Sequence, residues 1–143
     1  MSSLTTLPTS VILDPNSSNV SIDISNTSGG YLNNGFTVDS SGIHVSTSKY
    51  YTISLQLSLD SLIQTNDTKL SFSVVADSSS SRRYISTIYV NFLAKSNSKI
   101  QSYFTSICRE LFEGETIKLI YSSGLYDQVV LLPDIALTYL NIY

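Results

Sequence analysis

Few side chains in this chain are equipped for chemistry. His44 is the only histidine. A Ser–His–Asp relay would pair it with Asp39 or Asp60 and one of many serines. No Gly-x-Ser-x-Gly elbow accompanies it, and His44 falls mid-strand, so a structural role is preferred. A metal held by His44 and carboxylates lacks a second His or Cys at ligand spacing. Calcium on loop aspartates such as Asp77 or Asp127 lacks a multi-carboxylate loop. Cys108, the only cysteine, stands beside Arg109, a neighbour that lowers a thiol pKa. A lone strand cysteine is more simply a small buried hydrophobe. Glu110, Glu113 and Glu115 have the types for paired acid–base work, but they flank a turn, where carboxylates are solvated. These residues predict no enzyme, no metal and no cofactor.

Binding chemistry is equally sparse. The formal net charge is −3 and charged residues make up 13% of the chain, about half the usual share. Arg82-Arg83 is the only basic pair, and one pair cannot neutralise a phosphate backbone, so nucleic acid is excluded as a partner. The candidate ligand contacts are Arg82, Arg83 and Tyr84 after the Ser78–Ser81 run, and Tyr126 with Asp127, all expected in loops. The 10 tyrosines have the amphipathic rings that stack on carbohydrate. Core or subunit-interface roles are preferred for Tyr121, Tyr139 and Tyr143.

The elements that must position these residues read as strands. From Tyr51 to Leu59 the sequence alternates, with Tyr51, Ile53, Leu55, Leu57 and Leu59 on one face and Thr52, Ser54, Gln56 and Ser58 on the other. That period of two marks a half-buried strand; a helix would spread the five apolar side chains around its circumference. Similar alternation recurs over 19–24, 69–76, 84–93 and 116–121. Phe36–Val38 and Ile43–Val45 are short strands around Asp39-Ser40-Ser41-Gly42, and Glu113-Gly114-Glu115 is a tight turn. The segment 134–143 is apolar on both faces, Ile135, Leu137, Tyr139 and Tyr143 against Ala136, Leu140 and Ile142, which predicts burial on both.

With 28 Ser, 13 Thr and 9 Asn among 143 residues, the surface is neutral and hydroxyl-rich, a composition that favours strands over helices. One domain spanning 1–143 is expected, with 1–10 as an N-terminal arm or a first short strand at Ser10–Leu13. A single cysteine excludes an internal disulfide framework. No apolar run reaches the length of a membrane span, so no membrane insertion is expected, and no secretory leader is visible. Sequons at Asn16, Asn19, Asn26 and Asn66 are what chance gives in a chain so rich in Asn and Ser. Short strands at regular spacing, no helical pattern and no Trp predict an all-β antiparallel sandwich, better matched to a jelly roll than to an immunoglobulin domain.

Three segments carry a resemblance. Gly35-Phe36-Thr37-Val38-Asp39-Ser40-Ser41-Gly42-Ile43 leading into Tyr50-Tyr51-Thr52-Ile53-Ser54 resembles the entry to the central strands of the tumour-necrosis-factor/C1q-like (TNF/C1q-like) jelly roll. Leu111-Phe112-Glu113-Gly114-Glu115-Thr116-Ile117-Lys118-Leu119 resembles that fold's leucine, glycine, acidic step into an alternating strand. The closing 135–143 is similar to its final strand. The glycine that normally precedes an aromatic in the central strand is Ser48 or Lys49 here, unless Gly42-Ile43 takes its place. The resemblance implies a homotrimer about a tyrosine-lined axis, with Tyr121, Tyr139, Leu140, Ile142 and Tyr143 as its interface. Domains of that kind serve as cytokines, complement-like recognition heads, spore-surface heads and heads of viral or phage fibres. With no visible leader, no disulfide and a Ser/Asn-rich composition, a non-enzymatic unit on a virion or other particle surface is expected, with other particle proteins, a receptor or a glycan as partners. The alternative is an extracellular recognition module that binds a glycan or protein receptor through its loops.

Overall fold

In the computed structural model, residues 2–25, 35–61, 70–90, 100–124, 129–134 and 137–143 are described. The alternating segments pair into two antiparallel sheets. The strands are β1 (Ser3–Thr6), β2 (Val11–Leu13), β3 (Ser17–Ile22), β4 (Phe36–Asp39), β5 (Gly42–Val45), β6 (Lys49–Ser61), β7 (Leu70–Asp77), β8 (Arg82–Val90), β9 (Ile100–Leu111), β10 (Thr116–Ser123), β11 (Val129–Leu131) and β12 (Tyr139–Ile142). Sheet one runs β1–β12–β6–β11–β2, with β9 along the other edge of β6. Sheet two runs β4–β5–β10–β7–β8, with β3 also on β10. All-β architecture in two such layers is the expected sandwich.

β6 organises sheet one as its alternation predicts. Tyr51, Ile53, Leu55, Leu57 and Leu59 are all at most 1% exposed. They face the inward residues of sheet two, Phe72, Val74 and Ala76 on β7 and Ile117, Leu119 and Tyr121 on β10, within one core cluster. The Phe36 ring packs on Tyr51 at 5.3 Å between centroids.

The other face of β6 is less open than its polar residues suggest. Ser54 and Ser58 are buried, because Ser54 Oγ bonds Ser106 Oγ at 2.9 Å across the ladder. Ser58 Oγ donates to the Leu137 carbonyl at 2.7 Å and pairs with Ser102 Oγ. Satisfied hydroxyls can be buried at little cost.

Two segments depart from their sequence pattern. Ser3–Thr6 is not an arm but a strand, registered against β12 from Ser3↔Ile142 to Thr6↔Tyr139. Its buried hydroxyls bond that neighbour, Thr6 Oγ1 donating to the Thr138 carbonyl at 2.6 Å. The last strand is shorter than its apolar run, starting at Tyr139, because Asp134 takes a positive φ of 82° and its carbonyl accepts the Leu137 and Thr138 amides in a turn. Ile135 and Ala136 lie outside the described residues.

Asp39-Ser40-Ser41-Gly42 forms the expected hairpin, registered Asp39↔Gly42. Gly42 has a φ of 138°, and a Cβ there would come within 2.4 Å of the Ile117 carbonyl. Only glycine fits that approach of β5 to β10.

Candidate functional site

The hairpin gathers the one histidine with its expected acid, but not as a relay. His44 Nε2 lies 2.9 Å from Asp39 Oδ2 and 3.2 Å from Ser41 Oγ. Nδ1 faces Thr116 Oγ1 at 3.1 Å. A catalytic triad needs acid and nucleophile on opposite ring nitrogens; here Asp39 and Ser41 share one, and the Ser41 hydroxyl donates to Asp39. The bonds from the Ser41 hydroxyl and amide, with that from His44, hold Asp39 at about 2. The cluster ties the β4–β5 turn to β10. Asp60, the other expected acid, stands at the far end of β6, and its Oδ1 has no hydrogen-bond partner among the described residues.

The carboxylates separate in a way the turn pattern does not announce. Glu113 is exposed, whereas Glu115 is buried. Inward alternation on β10 sends Glu115 into the end of the sandwich. There it accepts Arg83 Nε at 2.9 Å, Arg83 NH2 at 2.7 Å and the Phe112 amide at 2.7 Å. Arg83 also donates to the Glu110 carbonyl and lies 4.8 Å from the Phe112 ring centroid, so it bridges the sheets. Burial pushes the Glu115 carboxyl up, but the bonds from Arg83 and Phe112 outweigh it and leave it below the ordinary range.

Arg82 and Arg83 are therefore not free loop cations. Both lie in β8, and Arg82 makes a two-pronged contact with Asp77 at 2.7 and 2.9 Å. Lys118 Nζ sits 3.0 Å from the same carboxylate, so Asp77 is a neutralised anion rather than a calcium ligand. Among the described residues no group of three or more His, Cys, Asp or Glu is placed to hold a metal. Tyr126 and Asp127 lie outside the described residues. Cys108, expected buried, is exposed. Alternation turns it to the outer face of β9 while Arg109 points the other way, its NH1 3.5 Å from the Ile85 carbonyl.

These ion pairs predict acid sensitivity. The Arg82 bonds, with help from Lys118 and against burial, lower Asp77 from 3.8 to about 2, and Glu115 is lowered as well. A carboxylate whose folded pKa is depressed contributes stability that is present above its unfolded value and lost as pH falls through the folded one. The urea midpoint is therefore expected to decline from about pH 4.5 down to about pH 2, by on the order of 1 kcal/mol for Asp77 after solvent screening. A midpoint unchanged over that window would show that the pairs contribute nothing.

The expected interface residues divide. Tyr121, Leu140 and Ile142 are 3%, 1% and 0% exposed and pack in the core of one chain, so they have no surface to offer a second copy. Pairing decides this: Leu140 lies opposite Leu55 and Ile142 opposite Ile53, and both partners point inward. Tyr121 packs on Phe72 with centroids 6.4 Å apart, and its hydroxyl accepts the Asp14 amide at 3.1 Å. Tyr139 and Tyr143 take the opposite, outer face of sheet one, where Tyr143 exchanges both backbone bonds with Thr52.

That outer face is apolar in places that single-strand patterns do not reveal. Phe104 lies opposite Gln56, which lies opposite Tyr139. Ile100, Asp60, Val130 and Ile12 form another row across β9, β6, β11 and β2. Phe104, Tyr143, Ile100 and Ile12 are 59%, 55%, 52% and 57% exposed. Between Phe104 and Tyr143 run small hydroxyl residues, and a face of this composition suits contact with another protein.

No family model and no curated protein matches the sequence. Solved structures match the fold. Eiger TNF from S. frugiperda superposes with a TM-score of 0.72 at 12% identity, over 99% of this chain and 90% of that one. Murine APRIL at pH 8.0 gives 0.66 at 14% identity, and at pH 8.5 gives 0.64 at 12%, each over 99% of this chain and 98% of the other. The chain has the TNF-like jelly-roll fold. The three segments that carry the sequence resemblance fall on the β4–β5 hairpin with β6, on the β9–β10 turn and on β12. In the TNF-like frame the outer face just described belongs to the sheet that holds both chain ends, β1 and β12.

Proposed function

We propose that this TNF-like chain is a non-enzymatic recognition unit that assembles as a homotrimer through the outer face of sheet one. The unit is displayed on the outside of a virion or comparable particle, or released outside the cell, and engages a receptor. The observation that carries the reading is the set of exposed apolar side chains on that face, Phe104, Tyr143, Ile100 and Ile12. Monomers rarely leave such a group open to water. The three-fold form is supported by the fold likeness, and a ligand-like role by Eiger TNF, which its name makes a tumour necrosis factor. Assembly is further supported by the low charge of the chain, which offers little repulsion to close packing.

Light scattering of the unmodified protein at micromolar concentration is expected to give three chain masses. Phe104→Lys with Tyr143→Lys should give a folded monomer, since exposed aromatics at a contact centre are worth about 2 kcal/mol or more each. An unmodified protein that runs as a well-folded monomer overturns the assembly. Deleting Tyr139–Tyr143 is not an equivalent test, because it removes Leu140 and Ile142 from the core.

A further inference from the structure

The outer face of sheet two carries a separate groove of about 340 Å³, within the range of small-ligand sites. Its making lies in one irregularity of β8. Val74 pairs with Ser86 and Val75 with Tyr84, so Ile85 is an extra residue that shifts the alternation by one. Beyond the bulge, Tyr84, Thr87 and Tyr89 share the outer face, opposite Val75, Ser73 and Ser71. Tyr84 and Tyr89 are 52% and 76% exposed and line the groove. Ile120, 1% exposed although it points away from the main core, lies in its floor beside the Ser73–Thr87 hydroxyl pair at 2.8 Å. Asn19 and Ser122 line it too; the Asn19 backbone N–H donates to Ser122 Oγ at 2.9 Å, and that hydroxyl donates to Asn19 Oδ1 at 3.3 Å.

We infer that this groove binds a neutral saccharide. Two exposed tyrosine rings on one strand offer flat apolar faces for the C–H side of a sugar ring, with hydroxyls at their tips. The serine, threonine and asparagine groups supply paired donors and acceptors of the kind sugar hydroxyls require, each with bonding capacity left over. Among the described residues no charged side chain lines the groove, and the cations beside Tyr84 and Val75, Arg82 and Lys118, are both held by Asp77. An acidic or sulfated glycan would find no counter-charge, so a neutral one is favoured. The groove lies on the sheet opposite the proposed trimer face. It does not depend on the trimer.

The test uses the full chain with a glycan array of neutral and of sialylated or sulfated oligosaccharides, followed by calorimetry on the best neutral ligand. Binding to neutral glycans is expected, unchanged between low and high salt. Tyr84→Ala or Tyr89→Ala should weaken it about tenfold at unaltered melting temperature, since both rings are exposed and their loss leaves the core intact. An empty array, binding confined to charged glycans, or neutral binding that survives the double Tyr84→Ala/Tyr89→Ala variant overturns the inference. So does a proline-rich peptide that occupies the groove where sugars do not, since aromatic grooves also take such segments.

Discussion

Leu55→Asp is expected to leave the protein unfolded. Leu55 is 1% exposed, sits mid-way along the 13-residue β6 and pairs with Leu140 on one side and Thr105 on the other. An aspartate there would place an unpaired charge in the layer between the sheets, at a cost of several kcal/mol. Total stabilities of about 5–15 kcal/mol leave little margin for that. The matched control is Ser18→Asp, exposed on β3, which should shift the denaturation midpoint only slightly. Far-UV circular dichroism and urea titration read both. A Leu55→Asp protein that melts cooperatively near the parent would mean that β6 does not hold the core together.

Loss of Glu115 should be the next most damaging change, although the residue lies in a turn region of an acidic sequence. Glu115→Ala strips three hydrogen bonds at once, two from Arg83 and one from the Phe112 amide. It leaves an arginine and a backbone N–H short of partners at the closed end of the sandwich. Breaking a fully buried pair costs about 3–5 kcal/mol. Arg83 is 31% exposed, so about 2–3 kcal/mol is expected here. Arg83→Ala should cost a similar amount by stranding the carboxylate, and the double variant less than the sum. Additive losses in that cycle would show that the two residues act separately.

The two substitutions differ in how visible they are beforehand. Leu55 belongs to an alternation confined to nine consecutive residues, and local periodicity is what a sequence displays directly. Nothing around Glu115 marks it apart from Glu113: the difference is made by Arg83, 32 residues away in the chain, and by the side of β10 that pairing turns inward.

The same division runs through the whole molecule. Sequence by itself determined the strand content, the turns at Asp39–Gly42 and Glu113–Gly114, and the inward face of β6, because each depends on neighbours a few residues apart. It also carried the resemblance to the TNF-like jelly roll, whose cues sit in short contiguous segments. Only the tertiary structure decided which face of the final strand is inside. The run to Tyr143 is apolar on both faces, and the choice of Leu140 and Ile142 over Tyr139 and Tyr143 comes from their registration against Leu55 and Ile53, more than 80 residues earlier. It alone showed that Ser3–Thr6 is a strand, since four polar-to-mixed residues become one only when β12 offers an edge to pair with. The outer-sheet groove follows from a single extra residue, Ile85, which moves Tyr84 into line with Thr87 and Tyr89. A one-residue shift in a period of two exchanges the faces of everything beyond it, and no count along β8 reveals it until β7 is laid alongside.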